Sequence, residues 1–393
     1  MNKKNILSIY KFFLKKIKLL IKKIFKTKYA FTRPRKRSIL IFDTKNSACL
    51  YGYLDESKVT SFDPLAIRLN IYILFRSLIL RTSYYQSYVD YVKPELLLTF
   101  IDNAMLFLYL RCPIGCQKVT VQNGYRSAVH HDLYYHLPMA DLSLLSNDYA
   151  FVFNASIAEK YKEFVPLCET IELGSFKSNE VRIYNKGQVV KGILYISTFR
   201  LMYLDQGKTT SGILCSDYIR NELTFLRWLF DFSEKEQIPL TILGKLDQGH
   251  EKEENYFSNL SNGVNFSYLR NYPERGTYKI IDQAEFIVSI DSSLGYEALS
   301  RGKKAAIFPG IRGESYPLNT RNFCWPSKQV KNTGFFWTNS VDLDQWNKAL
   351  KYVTNIDDRQ WHDNCDKYIN QSIAVDRGNS KFTSFLDKMG LSK

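Results

Sequence analysis

The stretch SIDSSLGYEALSRGKKAAIFP (residues 289–309) decides the fold that the sequence predicts. The run AEFIVSI (284–290), which leads into it, is apolar and β-branched, as expected of a buried strand. A polar turn at 291–293 follows, then a helical segment ending at Gly302, then a second short apolar run, KAAIFP. Strand, turn, helix and strand form one βαβ unit, whose ligands bind beyond the carboxyl end of the first strand. We therefore expect the polar turn to lie at a binding edge.

The rest of the chain alternates between strand and helix in two successive runs. This pattern predicts an α/β protein with two doubly wound, Rossmann-like domains that face a cleft. The expected divisions are a basic amphipathic helix and linker at 1–37, a first domain at 38–176, a second at 190–340, and C-terminal helices at 341–393.

Four local patterns give further expectations. Apolar spacing predicts a helix over 65–81, and the run ADLSLLSN (140–147) predicts a strand. The long amphipathic stretch 217–236 predicts a helix with Asp217 as its N-cap. The polar residues 176–191 show no strong periodicity, so we interpret them as the linker between the domains.

The net charge of +15 is concentrated at the N-terminus. Fourteen of the 54 Lys and Arg residues lie in residues 1–37, which contain no Asp or Glu. The rest of the chain has 40 basic against 39 acidic residues. A nucleic-acid-binding body needs a basic face across the fold, so this distribution argues against nucleic acid as a partner.

The N-terminal segment has the pattern of a basic amphipathic helix. Its apolar stripe comprises Ile6, Ile9, Phe13, Ile17, Leu20 and Ile24, and its opposite face carries Lys11, Lys15, Lys18, Lys22 and Lys26. No apolar run approaches the roughly 20 residues that span a bilayer. We expect the segment to lie on an anionic leaflet, which places the protein in the cytoplasm, peripheral to the inner face of the cell membrane. A helix packed on the body and a polyanion-binding tail are the alternatives.

The seven cysteines are scattered and include no CxxC pair. Together with the five histidines they show no ligand-like spacing, so we expect reduced thiols and no metal site.

Polar residues follow three strands of the second domain. They are Ser197 and Thr198, then Lys245, then Asp291, Ser292 and Ser293. The helix that begins near Ser292 offers free N–H groups that can bind a phosphate, and Lys245 can neutralise a diphosphate.

Two residues of that helix are further candidates for ligand contact. Gly295 lets a ligand approach the backbone, and Glu297 can accept hydrogen bonds from a ribose. The alternatives are ordinary N-capping for the serines, helix-dipole complementarity for Glu297 and a solvated loop lysine for Lys245.

The stretch IDSSLGYEALSRGKKAAIFP resembles the nucleotide-sugar-binding segment of GT-B-fold glycosyltransferases from bacterial capsule and O-antigen loci. The stretches PELLLTFIDNAMLFLYL and KVTVQNGYR are similar to the N-terminal half of surface-carbohydrate biosynthesis proteins in that group. The resemblance covers residues 38–340. It implies that the first domain binds the acceptor and the second binds the nucleotide-sugar donor, with Ser292, Ser293, Gly295 and Glu297 on the donor.

The same resemblance implies catalytic and acceptor-binding candidates in the first domain. Asp102 is the first choice for the group that deprotonates an acceptor hydroxyl, and His130 and His131 are the second. The acceptor-side candidates that it implies are Asn103, Gln122, Asn123 and Gly124. Arg126, which follows them, is a separate candidate for holding an anionic sugar or an acceptor phosphate, and the alternative for it is an ordinary loop arginine. The alternatives are a turn-capping role for Asp102 and surface positions for the histidines.

GT-B enzymes generally work without a bound metal, so the DxD string at 342–344 is interpreted as a helix cap. No cofactor is expected beyond the nucleotide-sugar substrate.

These features predict a glycosyltransferase that moves a sugar from a nucleotide-sugar donor to a lipid-linked or growing surface glycan. A CMP-linked acidic sugar and a UDP- or dTDP-linked hexose both remain open as donors. The alternatives are a polyol-phosphate transferase, a sugar-nucleotide epimerase of GT-B-like fold, and a non-catalytic glycan assembly factor at the membrane.

Overall fold

The structure is a computed structural model that describes residues 28–44, 46–61, 68–126, 141–184, 187, 190–204, 214–270, 276–290, 292–313 and 322–393. The amphipathic helix expected in the N-terminal segment lies outside the described residues, and so do His130, His131 and Asp291. In the described part of the chain, no helix has the length and apolarity needed to cross a bilayer.

The predicted α/β class with two sheets of parallel strands is confirmed. The strands are β1 (Lys28–Ala30), β2 (Ile39–Ile41), β3 (Val59–Ser61), β4 (Arg68–Asn70), β5 (Leu96–Thr99), β6 (Gln117–Val121), β7 (Tyr149–Val152), β8 (Glu169–Glu172), β9 (Val190–Ile196), β10 (Leu240–Leu243), β11 (Ser267–Leu269), β12 (Ala284–Ser289) and β13 (Ala305–Ile307).

The described helices, apart from short 3₁₀ turns, mostly connect these strands, and the last four follow β13. They are α1 (Ile71–Leu80), α2 (Tyr84–Val92), α3 (Met105–Leu108), α4 (Ala155–Lys162), α5 (Phe176–Glu180), α6 (Cys215–Lys235), α7 (His250–Leu260), α8 (Gly276–Gln283), α9 (Ser293–Ser300), α10 (Gly310–Gly313), α11 (Leu343–Asn355), α12 (Asp358–Ser372) and α13 (Ser380–Lys388).

The chain forms two compact units, and the first comprises Met1–Ile101, Leu106–Val119 and Leu386–Lys393. In this unit β2 pairs in parallel with β3 and with β5, so that Ile39 lies opposite Val59 and opposite Leu96. Strands β2 and β5 are buried along their length, which explains why both read as continuous apolar runs rather than alternating ones.

The second unit comprises Asp102–Met105 and Thr120–Phe385. It contains a five-stranded parallel sheet of order β11-β10-β9-β12-β13. The chain moves outward from β9 through β10 to β11, then returns to the other side of β9 for β12 and β13. The strand order therefore reverses between β9 and β12, which is the point where open α/β sheets bind ligands. The domain boundaries given above stay a prediction.

Helix α1 begins later than predicted, because Arg68–Asn70 is strand β4, paired in parallel with β1. Asn70 ends this strand and caps the helix, since its Oδ1 accepts a hydrogen bond of 3.1 Å from the N–H of Ile73. The prediction of a helix over 65–81 was therefore wrong for residues 68–70.

The strand predicted at 140–147 was also wrong. Asp141 accepts a hydrogen bond of 3.2 Å from the N–H of Ser143 and opens a 3₁₀ turn at Leu142–Leu144. The strand is the next segment, β7, whose Ala150, Phe151 and Val152 are buried. The hydrogen bond to the Asp141 side chain stabilises a turn here, although the apolar pattern of the sequence favours a strand.

Three capping and linker expectations have mixed outcomes. Asp217 is not the N-cap of α6, which begins at Cys215; it lies in the first turn and pairs with Arg220. Part of the expected linker is helix α5, capped by Ser175. The capping interpretation of the DxD string is confirmed, because Asp342 accepts a 2.8 Å hydrogen bond from the N–H of Gln345.

Candidate functional site

A pocket of about 270 Å³ lies where the strand order of the five-stranded sheet reverses. Five predicted donor-binding residues line it: Ser197, Thr198, Lys245, Ser292 and Ser293. They come from the ends of β9, β10 and β12 and from the first turn of α9. Parallel strands bring their carboxyl ends to one edge, so residues far apart in sequence meet there.

The two hydroxyls that follow β9 are held by buried carboxylates. Ser197 Oγ donates to Glu253 Oε1, and Thr198 Oγ1 donates to Glu222 Oε1 at 2.8 Å. Both glutamates are buried. Each serine or threonine oxygen keeps acceptor capacity, so these bonds fix the hydroxyl orientations at the pocket wall.

Glu253 also shapes the loop after β10. Its carboxylate accepts hydrogen bonds of 2.9 and 3.1 Å from the N–H of Lys245 and one of 2.9 Å from the N–H of Leu246. A single buried acid on α7 therefore supports two walls of the pocket. Sequence reasoning missed it; the available signal was an acidic residue on the apolar side of a helix.

The serines at the start of α9 have different roles. Ser292 is the N-cap, and its Oγ accepts a 3.3 Å hydrogen bond from the N–H of Leu294, as the capping alternative expects. Ser293 Oγ accepts a 2.7 Å hydrogen bond from the N–H of Tyr125. Helix α9 thus points its positive N-terminal end at the pocket, a geometry that favours a bound anion.

Gly295 is needed for packing and does not face the pocket as expected. A Cβ placed on Gly295 would lie 2.5 Å from both Cβ and Oγ of Ser289, the last residue of β12. Only a glycine therefore lets α9 pack this closely on its strand. The prediction that Gly295 admits a ligand to the backbone is corrected on this point.

Glu297 is enclosed rather than open to a ribose. Its carboxylate accepts hydrogen bonds of 2.7 Å from Ser175 Oγ and 2.9 Å from Tyr278 OH. Burial raises the pKa of Glu297 above its ordinary value, while these two hydrogen bonds oppose the rise. Glu297, on α9, is thus bonded to the N-cap of α5 and to α8, so a direct ribose contact is not what this geometry provides.

Asp102, Asn123 and Arg126 form one buried cluster. Arg126 donates to both carboxylate oxygens of Asp102, with Nε at 2.9 Å from Oδ2. Its Nη2 also donates to Asn123 Oδ1 at 2.6 Å, and the N–H of Asn123 lies 3.4 Å from Asp102 Oδ1. Asp102 is 2% exposed, so its carboxylate is committed to an ion pair and is poorly placed to remove a proton from an acceptor.

Gln122 and Gly124 belong to the turn that follows β6 and stabilise it. Gln122 accepts a 2.8 Å hydrogen bond from the N–H of Phe153 and donates one of 2.8 Å to the carbonyl of Gly124. A Cβ on Gly124 would lie 3.1 Å from Ser293 Oγ, so the turn lies directly against the start of α9. Asn103 is partly exposed in the turn after Asp102.

Four further residues were missed by sequence reasoning. Arg200 and Thr277 line the pocket. Because Arg200 comes soon after Ser197 at the end of β9, its positive charge could have suggested a phosphate contact from the sequence. The ring of Tyr125 stacks on that of Tyr296 with centroids 3.7 Å apart and planes 4° apart. Nothing in the local sequence pattern pairs these two tyrosines.

Two sheets of parallel strands, with a pocket at a strand-order reversal, are the features of the GT-B fold. Residues 119–390 match the model of a family of proteins assigned to O-antigen biosynthesis. The chain belongs to this family. The sequence matches none of the curated proteins with which it was compared.

Solved structures share the fold at low identity. One, from Listeria monocytogenes, is assigned as a UDP-N-acetylglucosamine 2-epimerase; it is 10% identical, covers 91% of this chain and 97% of its own, and has a TM-score of 0.50. The wall teichoic acid polymerase TagF (H444N variant with CDPG) is 11% identical, covers 99% and 98%, and has a TM-score of 0.47. The UDP-GlcNAc 2-epimerase of Neisseria meningitidis is 13% identical, covers 89% and 99%, and has a TM-score of 0.43.

Proposed function

We propose that the protein is a metal-independent glycosyltransferase of surface-glycan assembly, which takes its sugar from a nucleotide-sugar donor. The observation that supports this most is the pocket where α9 presents its N-terminus beside Lys245 and the β9 hydroxyls. Membership of an O-antigen biosynthesis family supports a glycan as the product.

The pocket suits the phosphate-bearing part of a donor. Its volume of about 270 Å³ is below the roughly 300–1,000 Å³ of pockets that enclose a whole ligand. Amide N–H groups, hydroxyls and the cations Lys245 and Arg200 are the groups that bind a diphosphate, and they stabilise it as a leaving group. The sugar and base extend beyond these walls.

The acceptor side is proposed to lie at the turn after β6. Because Asp102 is paired with Arg126, we assign its role to holding this turn in place. The segment that follows Arg126 carries His130 and His131, and we propose that one of them takes the proton of the acceptor hydroxyl.

The acceptor is proposed to be a lipid-linked or growing glycan at the inner membrane face. The basic N-terminal segment supports this, since fourteen cations without an acid attract anionic lipid.

A nucleotide panel tests the proposal. Thermal shift and calorimetry with UDP, CDP, CMP and dTDP should give saturable binding of one base. Lys245→Ala should weaken that binding about tenfold by removing a charge-assisted contact. Lys235→Ala, at the exposed end of α6, is the matched control and should bind like the wild type. Absence of binding by the wild type, or equal binding by Lys245→Ala, would contradict the proposal.

Product analysis separates the related functions. A transferase releases the nucleotide only when a glycan acceptor is present, whereas a hydrolysing epimerase releases it from the nucleotide sugar alone. Binding of a nucleotide sugar without any turnover would indicate an assembly factor. A cytidine preference would point to an acidic sugar or a polyol phosphate, and a uridine preference to a hexose.

A further inference from the structure

Helix α1 of the first unit exposes large apolar side chains on one face. Phe75, Leu78 and Ile79 follow the spacing i, i+3, i+4 and are 61%, 66% and 80% exposed. Leu80 beside them is half exposed. A surface helix normally turns its apolar stripe to the core, and a contiguous exposed apolar patch marks an interaction site.

The opposite face of α1 is packed against its own unit. Ile73 and Ser77 are buried. The ring of Tyr72 meets that of Tyr91 on α2 edge-on, with centroids 5.1 Å apart. Helix α1 is therefore apolar on both sides, and only one side has a partner in the described structure.

Cations lie beside the aromatic rings of α1 and α2. The guanidinium of Arg33 lies 4.8 Å from the centre of the Tyr72 ring. Lys36 and Arg76 lie 5.3 and 6.0 Å from the centre of the Tyr91 ring. Residues 68–89 contain three arginines and no acid, and Asp90, the first acid after them, accepts a 2.8 Å hydrogen bond from Gln86.

The start of α1 is bonded to the chain that emerges from the basic N-terminal segment. In the β1–β4 pair, Ala30 lies opposite Asn70, the N-cap of α1. Asn70 Nδ2 donates to the carbonyl of Thr32 at 2.8 Å. Phe31, which lies between Ala30 and Thr32 in the sequence, is 78% exposed. The polybasic segment therefore joins the body directly at the base of α1.

We propose that the exposed side of α1, with Phe31 and the cations near Tyr72 and Tyr91, is a second membrane-contact surface that inserts into an anionic leaflet. Large apolar side chains enter the acyl boundary while the flanking cations meet the lipid phosphates. The positive charge and the continuity with the polybasic segment favour lipid over a protein partner. This surface goes beyond the proposed function, because it does not depend on any transfer chemistry.

Fluorescence quenching by lipids brominated on their acyl chains tests the insertion directly. The five native tryptophans all lie in the second unit and give the baseline. In the full-length chain, Ile79→Trp should add a signal that brominated phosphatidylglycerol vesicles quench. Ile114→Trp, at another exposed position of the first unit, is the control and should add a signal that they do not quench.

An unquenched added signal in vesicle-bound Ile79→Trp protein would overturn the proposal. If that added signal were already blue-shifted before vesicles were present, the face would already be covered in solution, and the proposal would again be overturned.

Vesicle sedimentation gives the second measurement. At high salt, which screens the lysines, Phe75→Ser/Leu78→Ser/Ile79→Ser should bind anionic vesicles at least roughly tenfold more weakly than the wild type. The control Ile114→Ser/Leu144→Ser/Leu167→Ser removes three exposed apolar side chains elsewhere and should bind unchanged. Equal losses in both triple variants, or none in the first, would also overturn the proposal. Nucleotide binding by the first variant should stay at the wild-type level, which separates this result from failure of the proposed function.

Discussion

Ser293 Oγ accepts a 2.7 Å hydrogen bond from the backbone N–H of Tyr125. One serine of the pocket-forming helix is thus bonded to the turn that carries the acceptor-side candidates. The stacking of Tyr125 on Tyr296, which follows Ser293 by three residues, repeats the contact one helical turn on. Because the two contacts fix the turn and the helix together, a change at either is expected to alter the pocket.

Ser293→Ala should therefore affect both stability and nucleotide binding. Loss of the hydroxyl leaves the Tyr125 N–H without this acceptor and should cost about 1 kcal/mol of unfolding free energy. Nucleotide affinity should also fall, because the hydroxyl lines the pocket. Urea unfolding and calorimetry measure the two effects. Ser300→Ala is the control, since Ser300 Oγ bonds the carbonyl of Glu297 at the far end of the same helix; equal affinity losses in both variants would contradict the assignment.

Much of this fold was predictable because its strands are short, apolar and bounded by polar residues. Strand β12, helix α9 and strand β13 were all predicted from the opening stretch. The errors occurred where a side chain bonds the backbone locally. The side chain of Asn70 caps the start of α1, and that of Asp141 opens a 3₁₀ turn. A hydropathy pattern contains no information about either hydrogen bond.

The residues that line the pocket were predictable where they lie at the carboxyl ends of predicted strands. Polar residues at strand ends can be read from the sequence, and five of them line the pocket. The partners of those residues could not be predicted, because they depend on tertiary contacts. Glu253 reaches the end of β9 from 56 positions away, and Ser175 reaches Glu297 from 122. Because of such a contact, Glu297, which the sequence suggests as a ligand-binding acid, has a structural role.

Asp102→Asn should destabilise the protein strongly. It removes the negative partner of a buried arginine, and breaking a buried ion pair typically costs about 3–5 kcal/mol. A double-mutant cycle with Arg126→Met, followed by urea unfolding, should show a large coupling between the two positions.

Glu163→Gln is the matched control, because it breaks the exposed pair with Lys160 and should cost at most about 1 kcal/mol. A stable Asp102→Asn variant that had lost transfer activity would instead support the original catalytic prediction for Asp102.

Glu297 should make stability depend on pH. Burial raises the pKa of Glu297, so the folded protein holds the proton more tightly than the unfolded chain. The stability from its protonated form is fully present below the ordinary value of 4.5 and is lost as pH rises through the folded-state pKa. Glu297→Gln cannot titrate, so it should gain stability relative to the wild type as pH rises from ~4 to ~8.

Tyr278→Phe gives the comparison for that measurement. It removes a hydrogen bond that lowers the pKa of Glu297 and should make the wild-type trend steeper. Chemical unfolding across this pH range measures all three proteins. Parallel curves for the wild type and Glu297→Gln would show that Glu297 is ionised in the folded state without cost.

The thiols should fall into two reactivity classes. All seven cysteines lie in the described part of the chain and are thiols, of which Cys49 and Cys112 are partly exposed and the other five are buried. Burial raises the pKa of Cys168 and of Cys365 to about 12 each, which keeps the reactive thiolate scarce.

A thiol-exchange assay on the native protein should therefore show two fast-reacting groups and release the remaining five only on unfolding. Cys49→Ser/Cys112→Ser should abolish the fast phase and leave the unfolding phase unchanged. A fast phase that persisted in this variant would mean that a buried thiol becomes exposed by local opening, because burial otherwise blocks both ionisation and access of the reagent.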